Sequence, residues 1–150
     1  MDLGRELRLL LPRAIVWAQD VSSVAFVGGL SLPAELQDLA RSVGVAHSGR
    51  IRVLLVDALP LPSDPQLREA ALTMGLMGPQ MAGITLGYAV LIVRGQDTPR
   101  LLSHEFRHVA QYEQAGSIAQ FLPVYLQQIA QYGYVDAPLE VDARDHEILG

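Results

Sequence analysis

Cysteine, lysine and asparagine occur nowhere in the 150 residues. Without cysteine there is no disulfide, no thiol nucleophile and no thiolate metal site. Without lysine there is neither a phosphate-loop lysine nor a Schiff-base amine. Without asparagine there is no N-glycosylation site. All eleven basic side chains are arginine. Lysine and asparagine share AA-starting codons, so this pattern reads as the coding bias of a GC-rich genome and carries no function. Charge is sparse, at 18% of residues. The net charge of −5 and a pI near 5.2, with no basic cluster, exclude nucleic acid as the expected partner and give no attraction to anionic membranes.

Two further absences concern targeting. Asp2, Arg5, Glu6, Arg8 and Arg13 interrupt the first apolar stretch, where a secretory leader needs a longer uncharged run. The expected location is therefore cytoplasmic. The stretch Ala70–Val93 carries no charge and has the length of a membrane span. It contains Gly75, Gly78, Pro79, Gln80, Gly83 and Gly87, and its second half is rich in β-branched and aromatic residues. It reads as a loop followed by a buried strand.

What is present is a globular chain. Half the residues are hydrophobic, and the length suits one domain, residues 1–150, able to bury roughly two-thirds of its unfolded surface. Residues 5–19 have helical apolar spacing interrupted by Pro12, which predicts a kinked helix or a turn and a helix; residues 20–31 give no clear signal. SLPAELQDLARSVGV predicts a helix capped by Ser31, with Pro33 and Glu35 in its first turn and Gly44 at its end. Residues 50–57 read as a strand, and Asp64-Pro65 opens a short helix that Gly75 or Gly78 stops. Residues 83–94 read as a second strand. Thr98 and Pro99 open a helix that Gly116 ends, Ser117 and Gln120 form a capping box for the next, and Asp136 and Pro138 open a third. The fold class expected is α+β.

The segment His104–His108, HEFRH, fits H-E-x-x-H. A helix turns about 100° per residue, so His104 and His108 share one face, one turn apart. Two imidazoles so placed can share one metal ion. Glu105 stands roughly 60° past His108, close enough to act on a water at the ion without ligating it. Gln111 and Tyr112 fall in the same sector, while Leu102, Phe106 and Val109 face the other way. The competing reading is a solvated helix with an incidental histidine pair. A catalytic zinc takes three protein ligands and a water. Glu140 is the choice for the third, because Pro138 places it in the first turn of a helix. Asp136 reads as an N-cap, Asp142 as facing away from Glu140, and His146 lies near the end of the chain. His47 is isolated and reads as a loop histidine.

HEFRH followed by Glu140 in PLEVDAR resembles the gluzincin group of zinc metallopeptidases, and the compactness is similar to its small, single-domain minigluzincin-type members. The resemblance covers residues 30–148 in pattern. It implies a compact zincin-like domain in which a small sheet borders the HExxH helix and later helices carry the third ligand. It implies Zn2+ held by His104, His108 and Glu140, with Glu105 as general base. GITLGYAVLIV matches the edge strand that borders the cleft in such enzymes, so Gly83, Thr85 and Gly87 are expected to bind a peptide substrate through the backbone. Two departures stand out. Thermolysin-type members place an Asp four residues after the metal glutamate, and here that position is Arg144. No counterpart to the His or Tyr that polarises the substrate carbonyl is evident, and Tyr112, Tyr132, Tyr134, Arg144 and His146 all remain open for that role or for supporting the ligands.

The expected function is therefore peptide-bond hydrolysis at zinc. The alternative is a zinc-binding regulatory or interaction domain without turnover. A chain this small has little left for a second cleft wall. The wall is expected from a protein partner, a second copy of the chain, or the N-terminal segment 1–30, which could cover the cleft, although its apolar content, including Trp17 and Phe26, favours core packing.

Overall fold

The computed structural model of the chain describes residues 3–149, so Met1, Asp2 and Gly150 lie outside it. Its class is α+β, with six helices and a mixed four-stranded sheet among the described residues. Helix α1 (Leu3–Gly28) runs through Pro12 and through residues 20–28, which the sequence leaves without assignment. Proline removes one backbone donor. The apolar stripe Leu7, Leu11, Ala14, Ala18, Val21 and Ala25 continues on both sides of it, at spacings of three and four, and packs on the core. That continuous burial outweighs the missing bond.

Strand β1 (Leu30–Ser31) pairs antiparallel with β2 (Arg52–Val56). Ser31 thus belongs to a strand and not to a cap. Helix α2 (Ala34–Ser42) begins after Pro33, with no side-chain cap, and Gln37 Nε2 donates to Leu32 O at 3.1 Å instead. A single 3-10 turn, Ser48–Arg50, precedes β2. Helix α3 (Pro65–Thr73) has the expected Asp64 cap, whose carboxylate accepts from the Gln66 and Leu67 N–H groups.

The segment read as one strand over 83–94 is a hairpin. Strand β3 (Gly83–Leu86) folds back on β4 (Ala89–Val93), with Leu86 opposite Ala89 and Gly83 opposite Ile92. The two turn residues are Gly87 and Tyr88. Gly87 has φ +68° and Tyr88 has no positive φ, the pattern of a type II′ turn. The apolar residues on both sides of Gly87 conceal this turn from periodicity. Strand β4 also pairs in parallel with β2, which gives the order β1-β2-β4-β3 and leaves β3 at an edge.

Strand β4 is central, and its side chains alternate between two cores. Val90 and Ile92 meet Leu102, Phe106, Val109 and Ala110 of helix α4 (Pro99–Ala115). Ala89 and Leu91 join the cluster containing α1 residues and Phe121, Leu122 and Leu126 of helix α5 (Ile118–Tyr132). Helix α6 (Pro138–Asp145) then packs on α4. Its N-cap is Ala137, one residue later than the Asp136 expected, because Pro138 occupies the first helical position. Among the described residues no helix is long and apolar enough to cross a membrane.

Candidate metal centre

Helix α4 is fixed at both ends. Thr98 Oγ1 accepts from the Leu101 N–H at 3.2 Å, and Gly116 closes the helix at φ +108°. Phe106 and Val109 are fully buried against the sheet, which sets the rotation of the helix about its axis. The opposite side then carries His104, Glu105 and His108, with relative exposures of 8%, 5% and 6%. The two imidazoles are 5.0 Å apart between centroids. Helix α6 brings Glu140, at 1% exposure, between them. His104 Nε2 is 3.1 Å from Glu140 Oε1, and His108 Nε2 is 3.1 Å from Glu140 Oε2. One ligand atom from each of the three residues lies within 4.8 Å of the others, and no second such group occurs among the described residues.

The outer nitrogens are also engaged. His104 Nδ1 is 2.8 Å from Glu147 Oε2, and His108 Nδ1 is 2.7 Å from Gln111 Oε1. Gln111 Nε2 donates to Leu139 O and to Asp142 Oδ2, which turns its carbonyl oxygen towards His108. Arg107 Nε donates to the same Asp142 oxygen at 2.8 Å. Acceptors on both Nδ1 atoms favour the Nδ1–H tautomers and aim both Nε2 lone pairs inwards. Two such lone pairs facing a carboxylate need a positive charge among them, from protons or from a cation. In the metal-free arrangement protons supply it. Burial works against charged rings, but the bond to Glu140 and the charges of Glu140 and Glu105 push His108 up to about 9 and raise His104 as well. Burial likewise opposes the Glu140 carboxylate, yet its bonds from His104 and His108 hold it well below the usual carboxylate range. Two nitrogens and a carboxylate converging this way, with both Nδ1 atoms backed by acceptors, fit a small divalent cation such as zinc.

Glu105 does not join this group. Thr85 Oγ1 is 2.8 Å from Glu105 Oε1 and 3.1 Å from its backbone oxygen. Gly83 lies against the same side chain: a Cβ there would stand 3.2 Å from Glu105 Cγ. A side chain at this position would fit only if Glu105 or Ile92 gave way by a few tenths of an ångström. The Tyr125 hydroxyl donates to Glu140 Oε2 at 2.6 Å. The Tyr134 phenol also faces Glu140, and burial together with that charge raises its pKa. Tyr112 is buried and stacked on Phe121 at 3.9 Å, its pKa raised by burial and by Glu105.

Other sequence candidates lie elsewhere. Arg144 donates to Val135 O and its charge acts on Tyr134, while His146 Nδ1 donates to Asp142 O, so neither touches the histidine pair directly. Tyr132 is exposed. Gly87 sits in the hairpin turn, outside β3. Conversely, sequence reasoning gave no role to Glu147, Asp142 or Tyr125, nor a side-chain role to Thr85. Only Gln111 left a signal, since it lies one turn from His108 and in the same sector. Family models, curated proteins and solved structures all yield no match for this chain, which leaves its chemistry to be read from these side chains alone.

Proposed function

We propose that the chain is a zinc-dependent peptidase. One observation carries this reading: Glu105, a buried carboxylate beside the His104–His108–Glu140 group, is bonded to Thr85 and not to that group. A carboxylate held beside the group without joining it stands where hydrolysis would place its general base. A zinc ion held by His104, His108 and Glu140 would supply Lewis acidity and lower the pKa of a water to about 7. Glu105 takes the proton of the attacking water and later passes it to the leaving amine. Thr85 keeps the Glu105 carboxylate turned for both transfers. The Tyr134 hydroxyl, facing Glu140, donates a hydrogen bond to the carbonyl oxygen as negative charge grows there. Strand β3 pairs with β4 alone among the described strands, while Gly83, Thr85 and Leu86 are buried and the Ser22 hydroxyl of α1 donates to Leu86 O at 2.7 Å, so a peptide added to that edge would lie beside α1.

The deep burial of all three ligand candidates favours a second reading, an ion-binding domain without turnover. Glu105→Gln separates the two. The expected variant binds zinc one to one and loses about 10²–10⁴-fold in cleavage of unfolded protein. Full activity in that variant would remove Glu105 as the base. A zinc-loaded wild type that cleaves nothing would favour the second reading.

A further inference from the structure

The two oxygens of Glu140 are held differently. Oε1 meets His104 Nε2 at 3.1 Å. Oε2 meets His108 Nε2 at 3.1 Å and also accepts from the Tyr125 hydroxyl at 2.6 Å, the shortest of the three contacts. The tyrosine comes from α5, an element that supplies none of the three ligand candidates. Its ring is fixed from several sides. It stacks on Phe121 at 5.3 Å and 22°, and Phe121 stacks in turn on Tyr112 at 3.9 Å. The His108 ring meets it edge-on, at 6.1 Å and 89°. Phe121 and Tyr125 stand one turn apart on α5, so the helix and the stack set the ring together. A flip of the ring about its own axis leaves the hydroxyl oxygen where it was. The place of that hydroxyl is therefore set by α5, and the carboxylate comes to it.

The bond from Tyr125 differs in kind from the other two. Those from His104 and His108 are made by ring protons, which must leave before the same nitrogens can hold a cation. A neutral phenol keeps its proton and goes on donating. A carboxylate can meet a cation through one oxygen or through both. The choice matters here, because a catalytic zinc has three protein ligands and keeps one position open. A second oxygen from Glu140 would compete for that position.

We propose that Tyr125 is a positioning residue: its hydroxyl reserves Glu140 Oε2, so that the carboxylate meets a bound ion through Oε1 alone and one coordination position stays open. Tyr134 faces the same carboxylate but has a different task, on the substrate carbonyl. The proposal rests on His104, His108 and Glu140 being metal ligands. It does not need turnover, so its failure and that of the peptidase reading can be told apart.

Cobalt(II) is the probe, because it replaces zinc and absorbs visible light more strongly in four-coordinate than in five-coordinate sites. Cobalt-loaded wild type, Tyr125→Phe and Tyr134→Phe are compared by visible absorption and by X-ray absorption at the metal edge. Tyr125→Phe keeps the stacked ring and removes only the hydroxyl. Wild type and Tyr134→Phe should give the strong four-coordinate spectrum. Tyr125→Phe should give a weaker, five-coordinate one, with an added oxygen neighbour at the ion. Azide, a small anion that enters an open position, should shift the wild-type bands, and Tyr125→Phe should lose most of that shift. Identical spectra and azide responses in wild type and Tyr125→Phe overturn the proposal. An equal change in Tyr134→Phe also overturns it, since the effect would then not belong to Tyr125. A wild type that binds neither cobalt nor zinc overturns the metal centre and the proposal with it. The expected spectra in a wild type that cleaves nothing overturn the peptidase reading and leave the role of Tyr125 standing.

Discussion

At the scale of single residues, the nitrogens of His104 and His108 divide their work. Each Nε2 faces Glu140, and each Nδ1 has its own acceptor. Glu147 is the acceptor that α4 itself cannot supply, and its removal isolates its contribution. Glu147→Gln should weaken zinc binding by about 10–100-fold, as loss of such a backing carboxylate typically does. Competition with a chelator of known affinity measures this, and unchanged affinity would show that His104 needs no help from Glu147. The same groups set a pH response. His108 is raised to about 9 in the metal-free fold, so its pairing contributes fully below its unfolded value of 6.5 and is lost as pH rises towards 9. Glu140 is lowered, so its contribution is present above its unfolded value of 4.5 and is lost as pH falls. Metal-free protein should therefore show a falling thermal midpoint between pH 6.5 and 9. Zinc-loaded protein, with its ligands already deprotonated, should show little change there. Parallel curves for the two forms would contradict this account.

At the scale of elements, the contact between β3 and α4 decides where Glu105 stands. Gly83→Ala would place a Cβ 3.0 Å from Ile92 Cδ1 and 3.2 Å from Glu105 Cγ. The expected cost is roughly 10–100-fold in turnover, because small displacements of a reacting group are expensive. Zinc content should stay the same, and a variant with wild-type turnover would show that β3 does not position the carboxylate. Helix α4 was legible because its signals are local: Thr98, Pro99 and Gly116 mark its ends, and the i, i+4 spacing aligns the two histidines. Glu140 was legible through Pro138, which fixes the start of α6. The hairpin was not, because Gly87 is the only break in a long apolar run and a single glycine does not announce a turn. The long reach of α1 was hidden behind Pro12, where tertiary packing overrides a local penalty. Thr85, Tyr125 and Glu147 were illegible for a different reason. Each meets its partner across 15 to 43 residues, a distance that no periodicity encodes.

For the molecule as a whole, an ion held by α4 and α6 would add to the bonds that Arg107 and Gln111 already make between these helices. Chelation should therefore lower the thermal midpoint. Zinc at 100 times its dissociation constant contributes about 2.7 kcal/mol. At roughly 2–4 °C per kcal/mol for a chain of this size, the shift is about 5–10 °C. Calorimetry with and without chelator reads it directly, and an unchanged midpoint would mean that the folded chain holds no ion. The order of the donors along the chain adds a consequence in time. His104 precedes Glu140 by 36 residues and Glu147 by 43. At ~5–20 residues per second of synthesis, the histidine pair waits on the order of seconds for its carboxylate. A nascent chain at that stage would offer the histidine pair without Glu140, a pair that a nitrogen-seeking ion can visit and leave. If the group holds a metal, discrimination among metals would begin only after Glu140 has been made and α6 has docked, in the finished fold rather than in the growing chain.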